Sequence, residues 1–128
     1  MDTTEERSTR RINSYKDLVV WQKAHQLAMT IYKLSVDLPQ DEQSGLAQQI
    51  KTAAVDVASN IVKGYKRYGK QEKLDILNTA QSSLENLKYL LLLITDLGYA
   101  DTSEEEMDAD EVSRILNGFL KSIREKQQ

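Results

Sequence analysis

Residues that form tight turns are scarce in this chain, and their scarcity limits the folds open to it. One proline and five glycines occur in 128 residues, too few for the many turns of a protein built from short strands. Apolar residues instead recur every three or four positions, a spacing that places them on one face of a helix. The first such run is Val20, Ala24, Leu27, Ile31, Leu34 and Leu38. The sequence therefore predicts an all-α protein.

The first helix is expected to follow a mobile polar arm at residues 1–13, which has no apolar periodicity. Ser14 and Asp17 have the spacing of a capping box, in which each side chain satisfies a free backbone amide. This spacing predicts that the helix begins near Ser14. Pro39 disfavours helical geometry in the residue before it, so we expect a corner at residues 38–41.

The second and third helices are expected at about residues 40–68 and 70–97. Gly69 is expected to end the second helix in the left-handed conformation that glycine adopts readily. Ser103 and Glu106 repeat the capping-box spacing and predict the start of a shorter fourth helix.

Gly64 lies inside the second predicted helix, where glycine costs about 1 kcal/mol relative to alanine. A glycine at such a position permits the close approach of another segment or marks a bend. We expect another backbone or a bulky side chain close against Gly64.

Four amphipathic helices joined by short turns pack most simply as an up-down-up-down bundle, here spanning residues 14–128. Two central helices of about 28 residues would each span about 40 Å, more than the fourth helix can cover. Part of their surface is therefore expected to lie open or to contact another subunit.

The stretch at residues 89–94 is apolar around the whole circumference of its helix. One interpretation is a fully buried core helix. The other is an interface between copies of the chain, formed by Tyr89, Leu90, Leu92 and Leu93.

Side chains that carry catalysis and bind metals are nearly absent. The chain has no cysteine and one histidine, His25, which excludes thiolate metal sites, a cysteine nucleophile and the histidine pairs of di-iron bundles. No glycine-rich phosphate loop is present. We expect no enzymatic activity, catalytic residue, cofactor, metal or small-molecule substrate. The lack of cysteine, signal peptide and membrane span predicts a cytoplasmic protein.

The net charge of −3 arises from one acidic stretch. Residues 101–111 contain seven acids and no base, whereas the rest of the chain has 17 bases and 13 acids. Negative charge in the first turns of the fourth helix complements the helix dipole, the explanation that we favour. The alternative is an acidic docking patch.

Basic residues gather where the second helix is expected to end. The spacing of Lys63, Lys66, Arg67 and Lys70 places them on one helical face, and Lys73 follows just beyond the turn. In a monomer a solvated face is the favoured interpretation, whereas repetition around a symmetric ring would favour binding to phosphates. Six aromatic residues form no exposed row among these cations and are expected to be structural: Tyr15, Trp21, Tyr32, Tyr65, Tyr68 and Tyr99. Tyr15 and Trp21 are expected to fill the end of the bundle or an interface.

Three segments carry a resemblance to a known family. They are SYKDLVVWQKAHQLAMTIYKLSVDLPQDEQSGLAQQI at 14–50, SNIVKGYKR at 59–67 and SSLENLKYLLLLITDLGY at 82–99. Together they are similar to the 23S rRNA intervening-sequence protein family of bacterial four-helix bundles. That family includes Avd, the accessory variability determinant of diversity-generating retroelements.

The resemblance implies a non-enzymatic bundle that assembles as a ring, typically a homopentamer. For the Avd branch it further implies a basic surface for RNA or DNA and a reverse transcriptase as partner. Three positions depart from the family pattern: Thr52 replaces an arginine, and Lys63 and Asn86 each replace a glutamate. The buried polar cluster that those residues imply is therefore expected to be absent here, since the loss of one member alone would leave a buried charge unpaired.

These observations predict an oligomeric binding or scaffold protein, in its most concrete form an Avd-like accessory protein associated with nucleic acid or reverse transcriptase. The alternative is a ring-shaped adaptor that binds no nucleic acid. Such an adaptor would engage proteins through residues 90–94 and the acidic start of the fourth helix.

Overall fold

The computed structural model describes residues 14–126, most of them in four helices. These are α1 (Val19–Val36), α2 (Leu46–Tyr65), α3 (Lys70–Asp96) and α4 (Ser103–Glu125), with short 3₁₀ turns at Tyr15–Asp17 and Gln40–Glu42. Each helix contacts the next along the chain, and α4 also contacts α1. The predicted all-α four-helix bundle is confirmed, and the arm at 1–13 lies outside the described residues.

The core lies along the bundle axis and is made by the apolar positions at three- and four-residue spacing. All six residues of the first apolar run are buried. The largest side chains with almost no exposure come from all four helices: Ile31, Ile50, Ile61, Leu77, Leu84, Leu87, Leu91, Ile94, Leu116 and Leu120. None of the helices within 14–126 has the length and apolar composition that crossing a bilayer requires.

The predicted first capping box forms, but it caps a 3₁₀ turn and not α1. The Ser14 hydroxyl accepts from the backbone amide of Lys16 at 3.1 Å, and the Asp17 carboxylate accepts from the amide of Ser14 at 3.3 Å. Leu18 then has an extended backbone with φ −79° and ψ 125°. The helix therefore begins at Val19, and the prediction of a start near Ser14 is wrong.

The predicted bounds of the second helix are also wrong at both ends. A 3₁₀ turn follows Pro39, and α2 begins only at Leu46, whose amide donates to the Glu42 carboxylate at 3.2 Å. The helix ends at Tyr65, and Gly69 has φ −72° and is not left-handed. Within 14–126 the residue with positive φ is Gly98, at 80°.

The α2 C-terminus needs no left-handed glycine because a side chain satisfies its carbonyl groups. The Lys73 ammonium donates to the carbonyl of Gly64 at 3.2 Å and to that of Tyr65 at 2.9 Å. Carbonyls at a helix end otherwise lack partners, and a lysine is a favourable one because its charge also complements the helix dipole.

The predicted Ser103 capping box at the start of α4 does not form. Thr102 is the N-cap residue, and its hydroxyl donates to the Glu106 carboxylate across 2.8 Å. The Ser103 hydroxyl instead donates to Asp101 at 2.7 Å. Thr102 is fully buried, so the start of α4 is set by a buried threonine one position before the predicted cap.

The helix lengths overturn the argument that the fourth helix is too short. The lengths are 20 residues for α2, 27 for α3 and 23 for α4. The stretch at 89–94 is not buried all round, because Tyr89 is 59% and Leu92 47% exposed. Leu90 is only 5% exposed, so its proposed place in an interface is wrong: it belongs to the core of its own bundle.

Candidate functional site

The predicted basic residues lie together at one end of the bundle, but they do not share one helical face. Lys63 lies in the last turn of α2, whereas Lys66 and Arg67 follow the end of that helix. All three side chains are exposed. Because α2 ends at Tyr65, the predicted continuous stripe is wrong, and the cations occupy the connection between α2 and α3.

Lys70 brings the C-terminus of α4 into this cluster. Its ammonium donates to the backbone carbonyls of Arg124 and Lys126, both at 3.0 Å. These residues are 54 and 56 positions further along the chain. We call the resulting group of seven cations the basic end: Lys63, Lys66, Arg67, Lys70, Lys73, Arg124 and Lys126.

Crowding of positive charge is evident at Lys73. Burial lowers the pKa of its ammonium from the ordinary value of 10.5, and repulsion by Lys126 lowers it further. Lys73 and Lys126 therefore lie close enough for their charges to repel each other. An anion placed beside these two residues would relieve that repulsion.

Tyr68 is an aromatic residue of the basic end, and the prediction that it is structural is wrong. Its relative exposure is 101%, so it contacts almost nothing within the chain. A small cavity of about 180 Å³ lies beside it, lined by Tyr68, Lys70, Lys73, Ile123 and Lys126. Its position next to Arg67 in a glycine-containing turn was a signal for exposure.

A second surface is an open apolar groove of about 610 Å³ between α1 and α2. It is lined by Trp21, His25, Ala28, Met29, Tyr32, Lys33, Val55, Ala58, Ser59 and Val62. Its exposed apolar side chains include Met29 at 51%, Tyr32 at 50% and Val55 at 41%. This groove was not predicted, because its lining comes from two helices.

An aromatic cluster forms one end of the groove. Trp21 stacks on His25 with ring centroids 4.8 Å apart, and Tyr15 meets Trp21 edge-on at 5.1 Å. The sequence predicted that Tyr15 and Trp21 fill the end of the bundle or an interface. Their place in an interface stays a prediction. Within 14–126 no group of three acidic or histidine side chains is arranged to hold a metal ion.

The acidic residues at the start of α4 are largely engaged within the chain. Glu104, Glu105 and Glu106 occupy the first turn, as the dipole explanation expects. Asp110 pairs with Lys88 at 3.2 Å and Glu111 with Lys23 at 3.5 Å. Bonds from Ser103 lower the pKa of Asp101. These contacts favour a structural role over a docking patch.

Two of the departures from the family pattern meet in space. Thr52 of α2 and Asn86 of α3 both line a polar groove of about 260 Å³. Lys63 is not part of that lining. Thr52 and Asn86 are uncharged and exposed, and Asp56, which also lines the groove, is exposed as well. None of these three positions therefore places a charge in the core.

Comparisons with known proteins agree with the bundle. The family profile described as 23S rRNA-intervening sequence protein matches residues 16–118. No curated protein shows significant sequence similarity to the chain. A crystal structure at 1.70 Å of a protein with unknown function from the S23 ribosomal protein family of Bacteroides thetaiotaomicron VPI-5482 superposes with a TM-score of 0.75. The two chains are 20% identical, and the match covers 80% of this chain and 96% of that one. The profile match spans most of the sequence, and the chain therefore belongs to the 23S rRNA-intervening sequence protein family.

Proposed function

We propose that this chain is a non-enzymatic accessory protein that binds nucleic acid through its basic end. The observation that carries the proposal is the convergence of α4 with the α2–α3 connection, which adds Arg124 and Lys126 to the five predicted cations. Phosphate backbones bind such clusters by releasing condensed counterions. The exposed ammonium and guanidinium groups of Lys63, Lys66 and Arg67 are free to make those contacts.

The acidic stretch at residues 101–111 does not oppose this role, because it lies around the start of α4, whereas the basic end lies where that helix ends. The first turn of α4 is separated from Lys126 by the 23 residues of that helix, about 35 Å at 1.5 Å per residue. That distance is several times the Debye length at physiological salt, about 8 Å. At the basic end itself the seven cations outnumber the carboxylates of Glu72 and Glu125, so the local charge there is positive in spite of the net charge.

The most concrete version of this proposal is an Avd-like accessory protein that acts beside a reverse transcriptase. Its support is the family membership together with the basic end. A reverse-transcriptase gene next to the gene for this chain, with a template repeat, would support this version, and its absence would contradict it.

Binding can be tested with a fluorescein-labelled, 20-nucleotide single-stranded RNA, followed by anisotropy at increasing salt. We expect the logarithm of the affinity to fall linearly with the logarithm of the salt concentration. Lys66→Glu combined with Arg67→Glu should abolish binding without unfolding. Lys70 is left unchanged, since it holds the α4 carbonyls.

The control carries the same change of net charge at residues outside the basic end, as Lys23→Glu combined with Arg114→Glu. The Lys23 side chain is 41% exposed and lies outside both the apolar groove and the basic end. The control should bind RNA nearly as the original chain does. No binding by the original chain at 50 mM salt, or equal loss in both double variants, would reject the basic end as the site.

A second candidate function, assembly into a protein scaffold, is favoured by the apolar groove. Monomeric soluble proteins rarely leave a large contiguous apolar surface open, and such surfaces mark interaction sites. We propose that another copy of the chain covers it, in a closed homo-oligomer such as the pentamer that the family resemblance implies.

The location of the apolar residues supports a head-to-tail contact. The groove lies on α1 and α2, whereas Tyr89, Leu92 and the half-buried Leu93 lie on α3. Contacts between two different surfaces generate rings when the rotation closes. A two-fold contact of groove with groove is disfavoured, because it would bring the basic rims together: Lys33 lines the groove, and Lys51 lies 5.4 Å from the Tyr32 ring centre.

Mixing two interface variants tests the head-to-tail arrangement. Met29→Glu should block the groove and Leu92→Glu the α3 surface, so that light scattering finds each variant monomeric. A mixture should form a heterodimer, because one intact groove and one intact α3 surface remain. Val36→Glu is the control, since Val36 is 74% exposed on α1 and does not line the groove. A monomeric original chain, or a mixture that stays monomeric, would contradict this arrangement.

A further inference from the structure

Tyr68 combines two properties that rarely occur together in a folded chain. It is an aromatic residue with no burial, and it lies among the cations of the basic end. Burial of an aromatic ring is ordinarily favourable by a few kcal/mol. An exposed ring therefore retains a large apolar surface for contact with a ligand.

The cavity beside Tyr68 has the parts that an unpaired nucleotide requires. Tyr68 supplies an aromatic wall, and Ile123, which is 7% exposed, supplies an apolar floor. Lys126 adds an exposed ammonium to the lining. Lys66 and Arg67 come immediately before Tyr68 in the chain and can reach phosphates on either side of a stacked base.

Lys70 and Lys73 keep this cavity in place. Both donate to backbone carbonyls, so they tie the start of α3 to the ends of α4 and α2. The walls beside Tyr68 are therefore held by contacts between three helices, whereas the ring itself stays exposed. A site of this kind can accept a base without rearrangement of the bundle.

We propose that Tyr68 is a stacking platform for an unpaired nucleobase, with Lys126 and the neighbouring cations bound to the flanking phosphates. The proposal rests on the nucleic-acid role of the basic end and specifies its ligand as single-stranded RNA or DNA. Bases in a duplex are already stacked and cannot reach the ring, whereas every unpaired base offers a face of its own. Binding is therefore selective for strand state and nearly indifferent to base identity.

The test compares three labelled 20-nucleotide probes: single-stranded RNA, the same strand in a duplex, and a strand that carries a stable abasic analogue at every position. The original chain should bind the single strand more tightly than the other two. Tyr68→Ala should weaken single-strand binding by roughly 5- to 160-fold, the range for loss of one stacked base. It should leave binding to the abasic strand unchanged, and Tyr68→Phe should retain the original affinity.

Two further measurements separate stacking from a general effect on the chain. Fluorescence of 2-aminopurine in the single strand should be quenched by the original chain and by Tyr68→Phe, but not by Tyr68→Ala. Met107→Ala removes an exposed apolar side chain outside both proposed surfaces, 69% exposed on α4, and should change nothing.

The outcomes distinguish the two proposals. Failure of all three probes to bind would overturn the nucleic-acid role itself. Equal binding of all three probes, with no effect of Tyr68→Ala, would overturn the stacking site and leave phosphate binding at the basic end intact.

Discussion

Gly64 of α2 lies directly against Leu77 of α3. A Cβ atom built on Gly64 would lie 2.8 Å from the Leu77 Cδ2 atom and 2.9 Å from Cγ, closer than real Cβ contacts. Leu77 is fully buried and Gly64 is buried as well. The glycine expected to permit close approach therefore does so, and the neighbour is a leucine side chain.

Gly64→Ala should destabilise the bundle, although alanine is the better helix former. Leu77 must move within a close-packed core, and overpacking of this kind costs about 1 to 3 kcal/mol. Chemical denaturation would measure the change in the free energy of unfolding. Combining the change with Leu77→Ala should cost less than the sum of the two single effects, because the deleted side chain makes room for the added methyl group.

Gly118→Ala is the matched control, within the interior of α4. Its added Cβ meets nothing within 4 Å, so only helix propensity acts, and the variant should gain up to about 1 kcal/mol. A loss of stability in Gly118→Ala, or a gain in Gly64→Ala, would contradict these placements.

Lys70→Met should loosen the end of α4. The substitution removes the bonds from the ammonium to the carbonyls of Arg124 and Lys126, each worth about 0.5 to 1.5 kcal/mol. Amide hydrogen exchange in the last turn of α4 should accelerate. Lys66→Met alters an exposed lysine at the same end and should leave that exchange unchanged.

Thr102→Val should destabilise the junction of α3 and α4. The Thr102 hydroxyl lies 2.8 Å from the Leu91 carbonyl oxygen and 2.7 Å from the Thr95 hydroxyl, in a fully buried position. Loss of one partner leaves buried polar groups unpaired, at about 1 to 3 kcal/mol. Thr79→Val removes an exposed hydroxyl of α3 and should be nearly neutral in the same thermal or chemical unfolding measurement.

The pKa of Lys73 should rise when nucleic acid binds. In the free chain it lies below 10.5 because of burial and then Lys126, and phosphates would remove the repulsive part. Between the two pKa values the complex holds more protons than the free chain, so affinity should fall as the pH rises through that range. An NMR titration of the Lys73 Nζ resonance would measure both values. Lys126→Gln should raise the pKa of Lys73 in the free chain, because the repulsion is removed. The pKa should stay below 10.5, because Lys73 remains partly buried.

Local patterns were sufficient for the helices and the core. The six apolar positions of the first run are all buried, because the side-chain direction along a helix depends on position within the turn and on little else. A glycine within a helical pattern likewise indicated the close approach at Gly64, and residues adjacent in the chain indicated the basic character of the α2–α3 connection. That the residue against Gly64 is Leu77 of α3 depends on how the two helices pack.

Helix ends and the shape of the candidate sites required the tertiary structure. Residue spacing alone placed Lys63, Lys66 and Arg67 on one helical face, but α2 stops at Tyr65, where the Lys73 ammonium satisfies its last carbonyls. Spacing also cannot show that Lys70 reaches a carbonyl 54 residues away. Chain ends, grooves and clusters of this kind depend on contacts between helices that are distant in sequence. The sequence by itself therefore determined four amphipathic helices and their buried faces, whereas only their packing decided which cations, which tyrosine and which apolar groove face the solvent together.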